Sequence, residues 1–580
     1  MTAIESRSET AGPVVRGSAG HIDDLAPGTM KMVHVGEQRV ALIRTSNGVH
    51  AIDNACPHQG YGLVTGALSG ETVTCQWHNW KYDVTTGRCL RGEEDVACHR
   101  VEVDDRGGIT VEVEVPSPAE RRRALWPSLR RGLEADYLGQ VARDTVRLLD
   151  AGAAPAEIMA EALAVAAPKT EDGVGHEMAM AADCLALSEI RTGQDQALAL
   201  VQGLSGLAEV TRDRPSTPAP EPDPSIDLVA AIEAEDASGA MASILGQLEL
   251  GAGAEQLRHQ LLLAASAHHL SYGHGIIYTQ KAFELLERLG WERAGEILPH
   301  LAERLVNSTR EDTLPYMRAA MRAIEAVDLE ALAAAPSRSE TGWDDPEVVS
   351  TMLTATEAPI SQAVQTVLSG AGVEGLLDAL SLAVSHRLLN HDLQVEFDLA
   401  QAFGWLDITH GLTTAQAVRW AWRQDPGRHT ARLALFATWL MFDTGRSERR
   451  RGVVAPASPV DELRQRFAPR AGASGGADLG DAVVYRSTGD AVSIALAGRP
   501  STVSEALATA ALADGAGSFI VMAHLIKTTQ AASQEAEVTG SPLPLAAAAR
   551  YLASPRLERF VARDVAESVD FVRTGRPPRR

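Results

Sequence analysis

Hydrophobic and polar positions change their period once along this chain. Between His21 and Val115, short stretches rich in Val, Ile and Thr recur: KMVHVG, RVALIRT, GVHAID, TVTCQW and ITVEVEV. Gly, Asn and Asp separate them, and short β-prone runs bounded by such turn formers predict strands. Pro116 and Pro118 close this region. Beyond them AEIMAEALAVAA, QLRHQLLLAASAHHL, LLDALSLAVSHRLL and ARLALFATWLMF carry apolar residues at helical spacing. The chain therefore reads as multidomain: a disordered tail over residues 1–18, a small all-β domain over 19–116 and a large all-α domain over 119–575.

Within the helical part the pattern returns. EALAVAA begins at Glu161, QLLLAAS at Gln260, DALSLAV at Asp378 and EALATAA at Glu505, and each is followed by a histidine that opens another apolar helix: His176, His274, His391 and His524. Segments rich in breakers fall near 211–226, 334–347 and 445–482. This predicts about four internal helical repeat units.

Composition narrows the partners. A net charge of −23 opposes nucleic acid and anionic membranes, since phosphate neutralisation requires clustered Lys and Arg. The basic run RSERRRGV near Arg446 reads as a solvated loop. No stretch of about 18 apolar residues is evident, and the first twenty residues lack the apolar core of a secretory signal. Five cysteines in 580 residues form no disulfide framework, which points to a reducing compartment and a cytoplasmic protein.

Two of those cysteines stand in CPHQGYGLVTGALSGETVTCQWH, which holds Cys56, His58, Cys75 and His78. Thiolates and imidazoles suit zinc or an iron–sulfur cluster. Zinc fingers pair cysteine with cysteine and histidine with histidine, the latter on a helix. Here each half offers one of each, Cys-x-His and then Cys-x-x-His, between strand-like flanks. A [2Fe–2S] cluster with two cysteines on one iron and two histidines on the other requires such a pair of loops. CPHQG and CQWHNWKYDVTTG, with the strands around them, resemble the Rieske iron–sulfur proteins over residues 19–115. The resemblance implies Cys56 and Cys75 on one iron, His58 and His78 on the other, and a potential within roughly −150 to +300 mV. Respiratory members carry a further disulfide where Tyr61 and Trp77 stand here, so the soluble, ferredoxin-like or oxygenase-associated branch is implied. Cys89, Cys98 and Cys184 fall outside the ligand pattern, and Cys98 reads as a small buried residue.

A one-electron centre needs an acceptor, and the helical part is rich in histidine. AHHLSYGHG, SHRLLNHD, DITHGLT and MAHLIKTT supply His269, His274, His386, His391, His410 and His524 as ligands of a second, non-heme iron site, mononuclear or dinuclear. Five residues turn a helix by about 140°, so His269 and His274 need a break at Ser271–Gly273 to meet. Asp392, Glu396 or Glu535 are candidate oxygen ligands. Against this stands the ordinary role of a histidine on an apolar helix, a hydrogen-bonded core residue. HHLSYGHGIIYTQKAFELL and THGLTTAQAVR resemble segments of the questin oxidase-like proteins, a helical, histidine-rich family. That resemblance implies non-heme iron oxygenation and candidate roles for His269, His274 and His410.

The sequence thus predicts an oxidoreductase in which a Rieske cluster passes electrons to a His-lined iron site for O2-dependent oxidation of a small organic substrate. No Gly-rich dinucleotide fingerprint follows a strand, so a separate NAD(P)H-dependent reductase or ferredoxin is expected as donor. Two alternatives remain open. One is a Rieske electron carrier with a non-catalytic helical docking module. The other is a divergent ring-hydroxylating Rieske oxygenase, whose Asp-x-x-His-x-x-x-x-His pattern His386 and His391 match in part, with Ala383 in place of the Asp. A zinc hydrolase would leave the redox centre without purpose.

Overall fold

The computed structural model describes residues 13–337, 346–398, 403–468, 478–556 and 561–575. Two compact units are formed, Met1–Gly132 with Tyr137–Ala154, and Leu133–Asp136 with Pro155–Arg580.

Among its described residues the first unit holds ten strands: β1 Val14–His21, β2 Thr29–Val35, β3 Gln38–Thr45, β4 Gly48–Asp53, β5 Ala67–Ser69, β6 Thr72–Thr74, β7 Lys81–Asp83, β8 Cys89–Arg91, β9 Cys98–Val103 and β10 Gly108–Glu114. Six make a sheet in the order β1-β10-β9-β4-β3-β2, and β5-β6-β7-β8 make a second, smaller one. All pairings are antiparallel. β3 explains how the layers join. Its side chains alternate faces, so Val40 and Leu42 enter one core with Ala51, Ile109 and Val111. Ala41 and Ile43 enter the other, which also contains Cys56, Cys75, Val73 and Tyr82. The cysteines are therefore built into a hydrophobic core.

Two boundaries differ from the sequence reading. β1 begins at Val14, where Val14 pairs with Glu114, so residues 14–18 are sheet rather than tail; residues 1–12 lie outside the described residues. At the other end, the helix Leu138–Asp150 belongs with the β unit, tied to it by hydrogen bonds between the first ligand loop and Tyr137 Oη.

Among the described residues the elements of the second unit are helices. The expected repeats do not separate into bodies of their own, because helices far apart in sequence pack together. Trp405–Gln424 packs on Gly372–Asn390, and Phe519–Thr539 packs on His176–Glu189. The predicted loop at RSERRRGV contains the helix Arg446–Arg451, and Arg446 is held by Asp407 and Asp443. One described stretch, Ile360–Asn390, is long and apolar enough to cross a membrane by length and composition, contrary to the sequence reading; most of it is buried. Its scattered Gln, Glu, Asp and Arg residues interrupt the apolar run in sequence.

Polar order in this core centres on Arg419. It is 3% exposed and bonds Glu535 at 3.0 and 2.8 Å, Asp378 at 2.8 Å and Glu374 at 2.6 Å. Arg419→Met takes this guanidinium away from the buried Asp378 and Glu535, while Glu374 keeps Arg423 at 2.7 Å, and the expected loss is about 3–5 kcal/mol, read by chemical denaturation.

Candidate metal centres

In the first unit the two ligand loops are tight turns. The Cys56 amide donates to the Tyr61 carbonyl and the Cys75 amide to the Trp80 carbonyl, each at 2.8 Å. His78 and Asn79 both take left-handed backbone conformations, φ 65° and 60°, which costs roughly 1–2 kcal/mol per residue and aims the His78 ring. The four side chains meet: His58 Nδ1 and His78 Nδ1 lie 3.1 Å apart, and the two thiols contact one another. Burial pushes the Cys75 thiol up, with Cys56 adding to it. Paired sulfurs beside paired Nδ1 atoms are the donor set a [2Fe–2S] cluster requires, and the residues fit it.

Around this set sit further groups the sequence did not flag. Tyr82 Oη is 3.2 Å from Cys56 Sγ, and burial together with that thiol raises the phenol well above its ordinary value, so it keeps its hydrogen. Against a thiolate the phenol is the donor. Tyr82→Phe removes that bond, which favours the reduced cluster by about 1 kcal/mol, so the potential should fall by roughly 40 mV in a redox titration. Tyr61 and Trp77, both exposed, stack with centroids 5.5 Å apart. Cys98 is exposed rather than buried, its Sγ 3.3 Å from the Thr85 carbonyl.

In the helical unit four histidines converge: His176, His274, His410 and His524. His176 and His274 each open a helix, Gly273 turning the chain at φ 89° just before the second. A Cβ on Gly273 would meet Thr414 Oγ1 at 2.2 Å, so only glycine fits. His410 and His524 project from Trp405–Gln424 and Phe519–Thr539. Nε2 of His274 is 3.1 Å from Nε2 of His176 and 2.9 Å from that of His410, which is 3.4 Å from that of His524.

Proton accounting decides what these contacts are. Nδ1 of His274, His410 and His524 faces the carbonyls of Ser271, Leu406 and Ile520, and only Nδ1–H can donate there. Each Nε2 then holds a lone pair, and lone pairs face each other with no hydrogen between. Burial, together with neighbouring imidazoles and Lys527, holds all four rings well below the ordinary histidine range, so they do not protonate to relieve this. A shared cation would. Bonds of about 2.1 Å to one ion place its nitrogen ligands roughly 3.0–3.4 Å apart for right-angled to tetrahedral arrangements, which matches the spacing. The carbonyls behind His274, His410 and His524 fix tautomer and aim, as metal-bound histidines require, while His176 Nδ1 lies 2.8 Å from Tyr278 Oη. Lys527, buried and without a hydrogen-bond partner among the described residues, is lowered by burial to about 7.

The six histidines expected to share a site divide. His274, His410 and His524 join; His269, His386 and His391 stand outside the cluster. The break at Ser271–Gly273 turns His269 away, toward Trp439 and Glu311. His386 is buried in its helix and His391 packs on Trp405, near Glu396. The paired pattern of a ring-hydroxylating site is thereby dissolved. The candidate oxygen ligands are engaged elsewhere: Glu535 with Arg419, Asp392 with Arg451 and Glu396 with the Trp405 amide. His176, set in register with the others in sequence but not counted a ligand, completes the group. A further grouping, His259, Asp425 and His429, has Asp425 accepting from both rings at 2.6 and 3.0 Å and needs no ion.

Two cavities reach the four-histidine cluster. One, of about 470 Å³, is lined by His410, Tyr272, Tyr316, Trp439, Asp443 and Arg446. The other, of about 510 Å³, is lined by His176, His274, Tyr278, Glu177 and Arg304 among others.

Comparison with known proteins agrees with the first centre. Residues 17–103 match the Rieske [2Fe-2S] domain family. The ferredoxin component of the alkene monooxygenase system of Xanthobacter autotrophicus is 40% identical over 68 residues, 12% of this chain and 56% of that protein. Apoptosis-inducing factor 3 of Mus musculus is 37% identical over 73 residues, 13% of this chain and 12% of that protein. The chain thus spans about half the length of the first of these relatives and about an eighth of the second. The ferredoxin of carbazole 1,9a-dioxygenase from Nocardioides aromaticivorans aligns with 17% of this chain and 96% of its own, at 29% identity and a TM-score of 0.16. The matched segment is the one that carries Cys56, His58, Cys75 and His78.

Proposed function

We propose that this chain is an oxidoreductase in which electrons received by the Rieske domain serve a second, non-heme iron centre held by His176, His274, His410 and His524, for O2-dependent oxidation of a small organic substrate. The observation that carries this reading is the facing of Nε2 lone pairs in a buried core. When bound, the cluster supplies single electrons and the second iron supplies a centre for oxygen chemistry. The protein's own residues do the rest. Tyr272, Tyr316 and Trp439 offer apolar faces to an organic molecule beside His410. Tyr272 Oη, 2.9 Å from Asp443 and 2.7 Å from Arg446, orients a polar edge. Similar domains act as ferredoxin components of oxygenase systems, which supports a separate reductase as electron donor. The resemblance of the two short stretches HHLSYGHGIIYTQKAFELL and THGLTTAQAVR to questin oxidase-like segments supports the oxygenase class over other uses of the same centre.

Iron and acid-labile sulfide analysis of aerobically purified full-length protein tests the reading. About three irons and two sulfides per chain are expected, two irons belonging to the cluster. Two irons with two sulfides would instead make the helical unit a docking module for a Rieske carrier.

A further inference from the structure

The two histidines of the cluster loops are equivalent in sequence and unequal in structure. His78 is exposed, while His58 is only 8% exposed. The difference comes largely from Tyr137, which precedes the helix Leu138–Asp150 and lies outside the strands and both ligand loops. Its Oη is 2.6 Å from His58 Nε2, and its ring lies against the imidazole with centroids 5.3 Å apart and planes at 17°. Trp80 stacks on the same imidazole at 4.7 Å and 14°.

Tyr137 is firmly placed. Its amide donates to the Gly132 carbonyl at 2.8 Å, and its own carbonyl accepts from Gln140 and Val141 as the helix starts. Gln59, next to His58 in the first loop, donates its side-chain amide to Tyr137 Oη at 2.9 Å.

From this geometry we infer that Tyr137 caps the ligand His58, closing its outer edge so that electrons enter and leave the Rieske centre past His78. This rests on the Rieske assignment of the four ligands. With Nδ1 directed at iron, the remaining hydrogen of His58 sits on Nε2, so His58 donates and the phenol oxygen accepts. Gln59 fills the second lone pair of that oxygen. An imidazole that donates to an acceptor becomes a stronger electron donor to its metal, as with other second-layer contacts to bound histidine. The bond therefore favours the oxidised cluster, and it orients one ligand while leaving the other free to meet a partner. Tyr137 is a positioning residue acting through His58.

Diethyl pyrocarbonate labelling of full-length, cluster-loaded protein, read by peptide mass spectrometry at a single pH, tests the cap. His78 should label about tenfold faster than His58, a margin of the size one hydrogen bond gives. In Tyr137→Ala the two rates should become similar. Tyr137→Phe, which keeps the ring and should keep the fold, should retain the cluster's rhombic paramagnetic signal and shift its potential upward. Equal labelling of both histidines in the unaltered protein, or an unchanged potential in Tyr137→Phe, would overturn the inference. Absence of the rhombic signal from the unaltered protein would instead defeat the Rieske assignment beneath it.

Discussion

His410→Ala should empty the second centre while leaving the first intact. His410 is the middle member of the buried group, its Nε2 2.9 Å from His274 and 3.4 Å from His524. The Leu406 carbonyl one turn earlier holds its ring in place. Alteration of a contact behind a ligand typically costs ten- to a hundredfold in metal affinity, and loss of a ligand itself should cost at least about a hundredfold. Iron should fall from about three per chain to about two, and electron-driven substrate oxidation by at least the same factor. The visible spectrum of the cluster should not change, because its ligands lie in a separate compact unit. A stability measurement gives a second readout. Added Fe(II) at a hundred times its dissociation constant should stabilise the unaltered, iron-stripped helical unit by about 2.7 kcal/mol, and the variant hardly at all. Full iron content in the variant would remove these histidines from the proposal.

Sequence and structure agree where chemistry is local. Cys56, His58, Cys75 and His78 lie within 23 residues, and their alternating order alone separates a Rieske site from a zinc finger. The strands around them were legible because β10 alternates apolar and polar residues as its burial does, while β3 carries a short continuous apolar run, Val40 to Ile43, that is buried on both faces. Short strands such as β5, β7 and β8, three residues each, carry too little pattern to be read.

The second centre was only partly legible, for a physical reason. Its members come from four helices spread over nearly 350 residues, and helical spacing says which face a residue occupies without saying which helix that face meets. The pairs His269/His274 and His386/His391 share a spacing that suggested partnership, but each pair straddles a helix end that points its members apart. Of the four histidines expected to open helices, His176 and His274 do so and join, His524 joins from inside Phe519–Thr539, and His391 follows the end of Gly372–Asn390 and stays out. Tyr137 and Lys527 gave no local signal at all, since a lone tyrosine and a lone lysine acquire meaning only from what is packed against them.

Cys75→Ser should produce the converse of the His410 result and a larger structural effect. Cys75 and Cys56 are 2% and 1% exposed and belong to the same core as Leu63, Val73 and Tyr82. A cluster bound by them would add bonds between two loops whose backbones close on themselves, Cys56 to Tyr61 and Cys75 to Trp80, and which otherwise meet through side-chain contacts such as Tyr61 on Trp77. Binding free energy of a structural metal group is folding free energy for the domain around it. Its loss should destabilise the first unit on the order of 2–5 kcal/mol, comparable with losing a native disulfide. The rhombic signal and labile sulfide should vanish, and iron should fall to about one per chain, that of the helical unit. Substrate oxidation driven by a reductase should stop even though the second centre is loaded. The two variants together separate the roles, since each should strip one centre and spare the other. A Cys75→Ser protein that kept both its sulfide and its signal would place the cluster on other residues, and the electron path argued from His58 and His78 would fall with it.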